Sequence, residues 1–193
     1  MRAVVILAAI LAGPALAADP VNITHDTPSV TIETPDGPLV ISRAQDLGNK
    51  LEGDWALTSR ACPPFCVQPI TPAEGVRTIG ELELMTMLGD PEAVVIDSRT
   101  PNWFEGGSIP GAVNMPYTGM ADELDKLGCE VDFDGWICEA ELPEIALFCN
   151  GPWCGQSPTA IRRIIEAGYP VGKISYYRGG MQVWRMLGFN VTE

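Results

Sequence analysis

Three short runs, Ala93-Val94-Val95-Ile96, Ile145-Ala146-Leu147-Phe148 and Ile174-Ser175-Tyr176-Tyr177 behind Lys173, are separated by segments of helical spacing. No other feature constrains the fold as strongly. An apolar run without alternation suits a strand covered on both faces, and the cover comes from helices crossing between parallel strands. The first helical segment can start at Thr78 or Gly80, carries Leu82, Met85 and Leu88 at a spacing of three, and stops at Gly89-Asp90-Pro91. The second has Ser157 as cap, Pro158 at its first position, an apolar stripe of Ile161, Ile164 and Ile165, and a stop at Gly168 and Pro170. Gly179-Gly180 reads as a tight turn, with a last helix over Gln182 to Leu187; Ser108 to Pro116 reads as a loop containing a short strand. The pattern predicts a small α/β domain over 75–193, a parallel sheet flanked by helices. A ligand crevice in such a sheet lies at the carboxyl ends of its strands.

Cys149 falls at that end, where the run 145–148 meets the loop Cys149-Asn150-Gly151-Pro152-Trp153-Cys154-Gly155-Gln156-Ser157-Pro158. Unpaired amides and the positive dipole end of the following helix favour a thiolate or a bound anion there.

The amino terminus points to export. Residues 1–17 hold one early cation, Arg2, an uncharged stretch from Ala3 to Leu11, a Gly13-Pro14 break and the small-residue site Ala15-Leu16-Ala17. This is the pattern of a cleaved signal peptide, and its apolar stretch is shorter than the ~20 residues a spanning helix needs. The expected location is periplasmic or extracellular, with no membrane span in the mature chain. Cleavage removes Arg2 and no acid, taking the net charge from −13 to −14. Nucleic acid is therefore not an expected partner, since phosphate binding needs basic surface, and an anionic membrane is disfavoured for the same reason.

Residues 18–74 read as an extension preceding the domain. Val30-Thr31-Ile32-Glu33, the turn Pro35-Asp36-Gly37-Pro38 and Leu39-Val40-Ile41 give a β-hairpin signal, while Ala44 to Pro72 lack a clear period. The six cysteines form three local pairs, in a compartment that permits disulfides. Cys129 and Cys138 bracket an acidic and aromatic surface excursion without helical or strand period, and read as a structural bridge. Cys62-Pro63-Pro64-Phe65-Cys66 has the wrong spacing for a thioredoxin-type motif; a structural staple is its first reading and a soft-metal clip the second.

Four stretches in order resemble a rhodanese-like domain: Val95-Ile96-Asp97-Ser98-Arg99, Ile109-Pro110-Gly111-Ala112-Val113-Asn114-Met115-Pro116, Leu147-Phe148-Cys149, and Tyr177-Arg178-Gly179-Gly180-Met181-Gln182-Val183-Trp184. They span about Thr78 to Val191. The resemblance implies a single rhodanese fold with Cys149 at the nucleophile position, able to carry a persulfide. It also implies that Asp97 and Arg99 support the fold, and that Gly180 and Trp184 serve packing more than chemistry. Departures accompany the matches. Ser157 is eight positions after Cys149 where the family usually has a serine at six, Gln156 stands where an arginine is common, and Ser108 stands where a histidine is usual. The Cys-Asn-Gly-Pro-x-Cys loop resembles that of an exported subset of the family.

The chemistry can be weighed on the residues alone. Sulfur transfer needs a thiolate that attacks a sulfane sulfur and a cradle for the resulting persulfide anion. Amides from Asn150 to Gln156, including Gly151, Trp153 and Gly155, together with Ser157, are the candidate cradle and substrate contacts. No Arg, Lys or His lies within the loop, and His25 is the only histidine. Activation then rests on amides and dipole, and thiosulfate, a dianion that wants cations, should be a weak donor. Cys154 can resolve a persulfide or sulfenate on Cys149 into a disulfide, or that disulfide can be the resting state. The competing readings are a Cys149–Cys154 staple in a non-catalytic binding module, and thiol redox or metal binding through the cysteines. Gly155, where a phosphate-clamping arginine would be required, argues against a phosphatase. Trp153 either lids the pocket or packs on Trp103 or Tyr117; Arg178 reads as a solvated surface residue that can steer an anion. The expected partners are a small sulfur donor and a thiol acceptor, which includes protein thiols, and no cofactor or metal ligand set is assigned.

Mass spectrometry of the protein recovered after export should find a chain beginning at Ala18; a chain retaining residues 1–17 would rule out the signal reading.

Overall fold

The computed structural model describes residues 19–133, 135–139 and 141–192, so the expected signal segment lies outside the described residues. The chain opens with the expected hairpin, β1 (Ser29–Ile32) against β2 (Leu39–Ser42), antiparallel with Ser29 opposite Ser42. The turn closes through Gly37 N–H donating to the Thr34 carbonyl at 2.9 Å. Its inward residues Ile32 and Ile41 are buried among Val95, Phe148, Met181 and Trp184, so the hairpin completes the core of the sheet domain. Ala44 N–H donates to the Gly188 carbonyl at 2.7 Å and Asn190 N–H to the Ser42 carbonyl at 3.1 Å, tying the hairpin to the carboxyl end of the chain.

From Arg77 the predicted alternation is realised: β3 (Arg77–Ile79), α1 (Glu81–Leu88), β4 (Ala93–Asp97), α2 (Pro101–Glu105), β5 (Val113–Asn114), β6 (Glu130–Asp132), β7 (Gly135–Ile137), β8 (Glu144–Phe148), α3 (Gln156–Glu166), β9 (Ile174–Tyr177) and α4 (Gly180–Met186). Five strands form one parallel sheet in the order β3-β9-β8-β4-β5. β8 is central, and successive residues feed opposite faces as the strand period requires. Ile145 and Leu147 pack with Ile161 and Ile164 of α3, whereas Ala146 and Phe148 pack with the hairpin, α1 and α4. No helix among the described residues is long and apolar enough to cross a membrane.

Three expectations are corrected. Thr78 lies in β3 and Gly80 caps α1, whose buried face is Leu84, Met85 and Met87, while Leu82 is 51 % exposed. Two acids fix that rotation: Glu83 accepts from Gly80 N–H at 3.1 Å, and Glu81 accepts from the Tyr177 hydroxyl at 2.9 Å. The second helix starts at Gln156 with Gly155 as its cap, so Ser157 and Pro158 sit inside the first turn. Pro158 costs nothing there, because first-turn amides have no intrahelical acceptor. Last, the stretch between Cys129 and Cys138 is a small antiparallel hairpin of β6 and β7, closed by the expected disulfide. Its strands are too short for a sequence period to show.

Removing that bridge in the Cys129→Ser/Cys138→Ser protein should cost about 2–3 kcal/mol of folding stability. Urea denaturation of both proteins checks this; an unchanged midpoint would mean the hairpin holds itself.

Candidate active site

Cys149 stands directly beyond the central strand, and neighbouring elements hold the loop it begins. Ser98 N–H donates to the Phe148 carbonyl at 2.9 Å, Met181 N–H to Cys149 at 3.0 Å, and Gln182 N–H to Asn150 at 2.9 Å. Cys154 N–H turns back to the Gly151 carbonyl at 2.8 Å. The start of α4 approaches so closely that position 180 must be glycine: its φ is +53°, and a Cβ would collide with the Cys149 carbonyl and the Gly151 amide. Trp184, one turn on, is fully buried against Phe189.

Behind the loop lies a fully buried ion pair. Asp97 Oδ1 accepts from Arg99 N–H at 3.0 Å and from Nε at 2.9 Å, and Oδ2 accepts from Nη2 at 2.6 Å. Arg99 Nη2 also donates to the Gly107 carbonyl at 2.9 Å, and Nη1 to Asn150 Oδ1 at 3.3 Å. Ser108 donates its hydroxyl to Asp97 Oδ2 at 2.7 Å. Asp97 and Arg99 therefore join β4, the loop before β5 and the Cys149 loop in one network, as a fold-supporting pair should.

Cys149 and Cys154 are both buried and both free thiols. The neutral Cys149 S–H donates to the Cys154 carbonyl at 3.3 Å. Burial by itself would raise the Cys149 pKa, but donation from the Cys154 thiol, the Ser157 hydroxyl and the amides of Ser157 and Gly151 brings it down to about 7. The Ser157 hydroxyl is buried with no other hydrogen-bond partner, which leaves it available to the Cys149 sulfur. Cys154 is pushed strongly upward by its bond to Cys149, by burial and by the neighbouring negative charge. Cys149 is thus the thiol of the pair that ionises first, and Cys154 the one that stays protonated. The Tyr176 hydroxyl is also buried without a partner; burial first, and then the charge on Cys149, raise its pKa.

The remaining candidates divide between two sides of the loop. Gly151 and Ser157 serve the Cys149 sulfur, while Asn150, Trp153, Gly155 and Gln156 line a cavity of about 370 Å³ together with Cys154. Cys154 Sγ lies 3.6 Å from Gln156 Oε1. A larger space of about 630 Å³ lies between residues 42–55 and 185–190, and no cysteine lines it. Trp153 shares the cavity wall with both of its expected partners, Trp103 and Tyr117, but its ring pairs with another residue. Its ring meets Phe65 edge-on at 4.9 Å, and the Arg60 guanidinium lies 4.6 Å from the Phe65 ring and 5.2 Å from the Trp153 ring. Phe65 belongs to the Cys62–Cys66 loop, which is closed by a disulfide and so is the staple rather than the metal clip. Gln68 N–H donates to the Pro152 carbonyl at 2.8 Å, and Arg178, half-buried rather than solvated, donates to the Gln68 carbonyl at 2.9 Å. Arg60, Phe65, Gln68 and Tyr176 are thus site residues that sequence reasoning missed. Only Phe65 carried a signal, as an aromatic inside a disulfide-closed, proline-stiffened loop.

In the reduced protein, alkylation of Cys149 by iodoacetamide, followed by peptide mapping, should rise with pH through a midpoint near 7. Ser157→Ala removes a donor to the thiolate and should move the midpoint upward; a wild-type midpoint near 9 would contradict the site geometry.

Comparison with known proteins gives the family. Residues 81–187 match the family model described as the rhodanese-like domain. Over 115 residues the chain is 30 % identical to an HTH-type transcriptional regulator of Mycobacterium tuberculosis, covering 60 % of this chain and 44 % of the relative. Over 118 residues it is 27 % identical to a tRNA uridine(34) hydroxylase of Deinococcus radiodurans, covering 58 % and 35 %. The chain thus spans less than half the length of these curated relatives. Among solved structures, a rhodanese-like domain from Anabaena aligns with a TM-score of 0.45 at 20 % identity, over 60 % of this chain and 77 % of that one. The BH2092 protein of Bacillus halodurans aligns with a TM-score of 0.47 at 19 % identity, over 60 % and 76 %. The rhodanese-like match supports a domain of the sulfurtransferase or sulfur-carrier kind, which in general handles sulfur and thiol partners. With more than half of its length matched by that family model, the chain belongs to the rhodanese-like domain family.

Proposed function

We propose that the protein is an exported sulfurtransferase or persulfide carrier in which Cys149 is the nucleophile and Cys154 the resolving thiol. The supporting observation is a pair of buried free thiols on the loop that α4 holds beyond the central strand, with surrounding donors lowering the Cys149 pKa while Cys154 stays protonated beside it. The Cys149 thiolate attacks the outer sulfur of a sulfane donor, the donor's sulfur–sulfur bond breaks, and the leaving group departs with the electron pair. The Cys149 persulfide anion then lies among the donors that favoured the thiolate: the Ser157 hydroxyl and the amides of Gly151 and Ser157. An acceptor thiolate attacks the terminal sulfur, forms its own persulfide and returns Cys149 as thiolate.

Cys154 supplies a second exit. Its sulfur attacks the inner sulfur of the Cys149 persulfide while its proton passes to the departing outer sulfur, which leaves with the electron pair as hydrosulfide, and a Cys149–Cys154 disulfide forms, which an external thiol must reduce before another cycle. A non-catalytic binding module and a thiol-redox protein would share the fold but would not accumulate the persulfide.

Reduced protein given a sulfane donor should gain the mass of one sulfur atom on Cys149, and Cys149→Ser should not. Cys154→Ser should retain the adduct longer. Intact-protein mass spectra without the adduct on the wild type would refute sulfur transfer.

A further inference from the structure

Cys149 is 2 % exposed and does not line the cavity at the site; Cys154 does, so a reactant reaches the pair past Cys154. The walls of that cavity come from four places. Pro64 and Phe65 belong to the disulfide-closed loop of the amino-terminal extension, Trp103 to α2, Tyr117 to the loop after β5, and Trp153 to the loop of Cys149. Four of these five side chains are aromatic, and the volume of about 370 Å³ suits a small organic ligand. No Asp, Glu, Lys or Arg lines it, and Asn150, Gln156 and Thr159 supply its polar side chains. The nearby guanidiniums stand behind the walls and do not line the cavity: Arg60 over the rings of Phe65 and Trp153, Arg99 on Asp97, Asn150 and Gly107, and Arg178 on the Gln68 carbonyl. A small dianion would lose its hydration here against walls that carry no charged side chain, in a chain of net charge −13. A flat apolar group would instead find aromatic faces and edges.

We infer that this cavity selects sulfur donors or acceptors carrying a flat apolar or aromatic group next to the reacting sulfur, and that the Cys62–Cys66 loop, through Phe65, is the specificity element. The inference rests on the sulfur-transfer reading for its chemistry but concerns recognition. Because Phe65 lies outside residues 81–187, the extension, and not the matched domain alone, sets which reactant is taken.

Benzenethiosulfonate and methanethiosulfonate separate the two ideas, since they share charge and reacting group and differ in the ring. In either case the Cys149 thiolate takes the sulfane sulfur and the sulfinate leaves with the electron pair. After each rate is divided by that of a small free thiol, kcat/KM for the benzene donor should exceed that for the methane donor by about tenfold, and Phe65→Ala should remove most of that ratio. Calorimetric titration of the reduced wild type with the product sulfinates needs neither turnover nor a variant: benzenesulfinate should bind about tenfold more tightly than methanesulfinate. Equal corrected rates, or equal sulfinate affinities, would overturn the inference. If neither donor loads Cys149 while benzenesulfinate still binds preferentially, the recognition site stands and sulfur transfer fails.

Discussion

Asp97 and Arg99 have no exposed surface, and the site is arranged around their pairing. Two charges removed from water are stable only when their donors and acceptors are nearly all used, and removing one partner of such a pair costs about 3–5 kcal/mol. Here the carboxylate takes the guanidinium, the Arg99 amide and the Ser108 hydroxyl, and the guanidinium goes on to Gly107 and Asn150. That requirement fixes the end of β4 against two loops. One of them carries Cys149, so the electrostatic demand of a core pair becomes positional accuracy at a thiol. Ser108 shows how a departure from the family is absorbed, since a hydroxyl supplies a donor to the carboxylate in the place where a histidine is usual.

At Cys149 opposing effects are resolved by number. Burial is the largest single influence on the thiol and favours its neutral form, yet four donors together outweigh it. A pKa lowered from 9.0 to about 7 gives Cys149 more thiolate at neutral pH than an ordinary thiol has. The folded pKa lies below the unfolded one, so the stability gained from ionisation is present above about 9 and is lost as the pH falls through about 7. None of the donors is a formal cation. The cations nearby act one step removed: Arg99 orients Asn150, and Arg60 stacks on Trp153.

Much of the fold was legible because buried parallel strands have a signature that needs no partner to be read. Ala93 to Ile96 and Ile145 to Phe148 are uniformly apolar since both faces of β4 and β8 are covered. The hairpin was legible from its turn residues. What misled was short or local: Leu82 fits the helical spacing but points outward because Glu81 and Glu83 fix the rotation of α1. Ser157 looks like a cap, yet it is drawn into the first turn beneath Cys149.

The sequence by itself determined the sheet, the place of Cys149 at its carboxyl edge, the nearness of Cys154 and the Asp97–Arg99 motif, because each depends on neighbours within a few residues or on a strand's own period. Only the tertiary structure decided what surrounds the thiol. Phe65 reaches Trp153 from 88 positions earlier, Gln68 reaches Pro152 from 84, and Tyr176 arrives from the adjoining strand. No spacing rule relates such residues, since their meeting is fixed by how an irregular segment crosses the strand ends after the core has formed. A disulfide between Cys62 and Cys66 was readable as a local staple, but that its loop forms a wall of the site depends on packing alone.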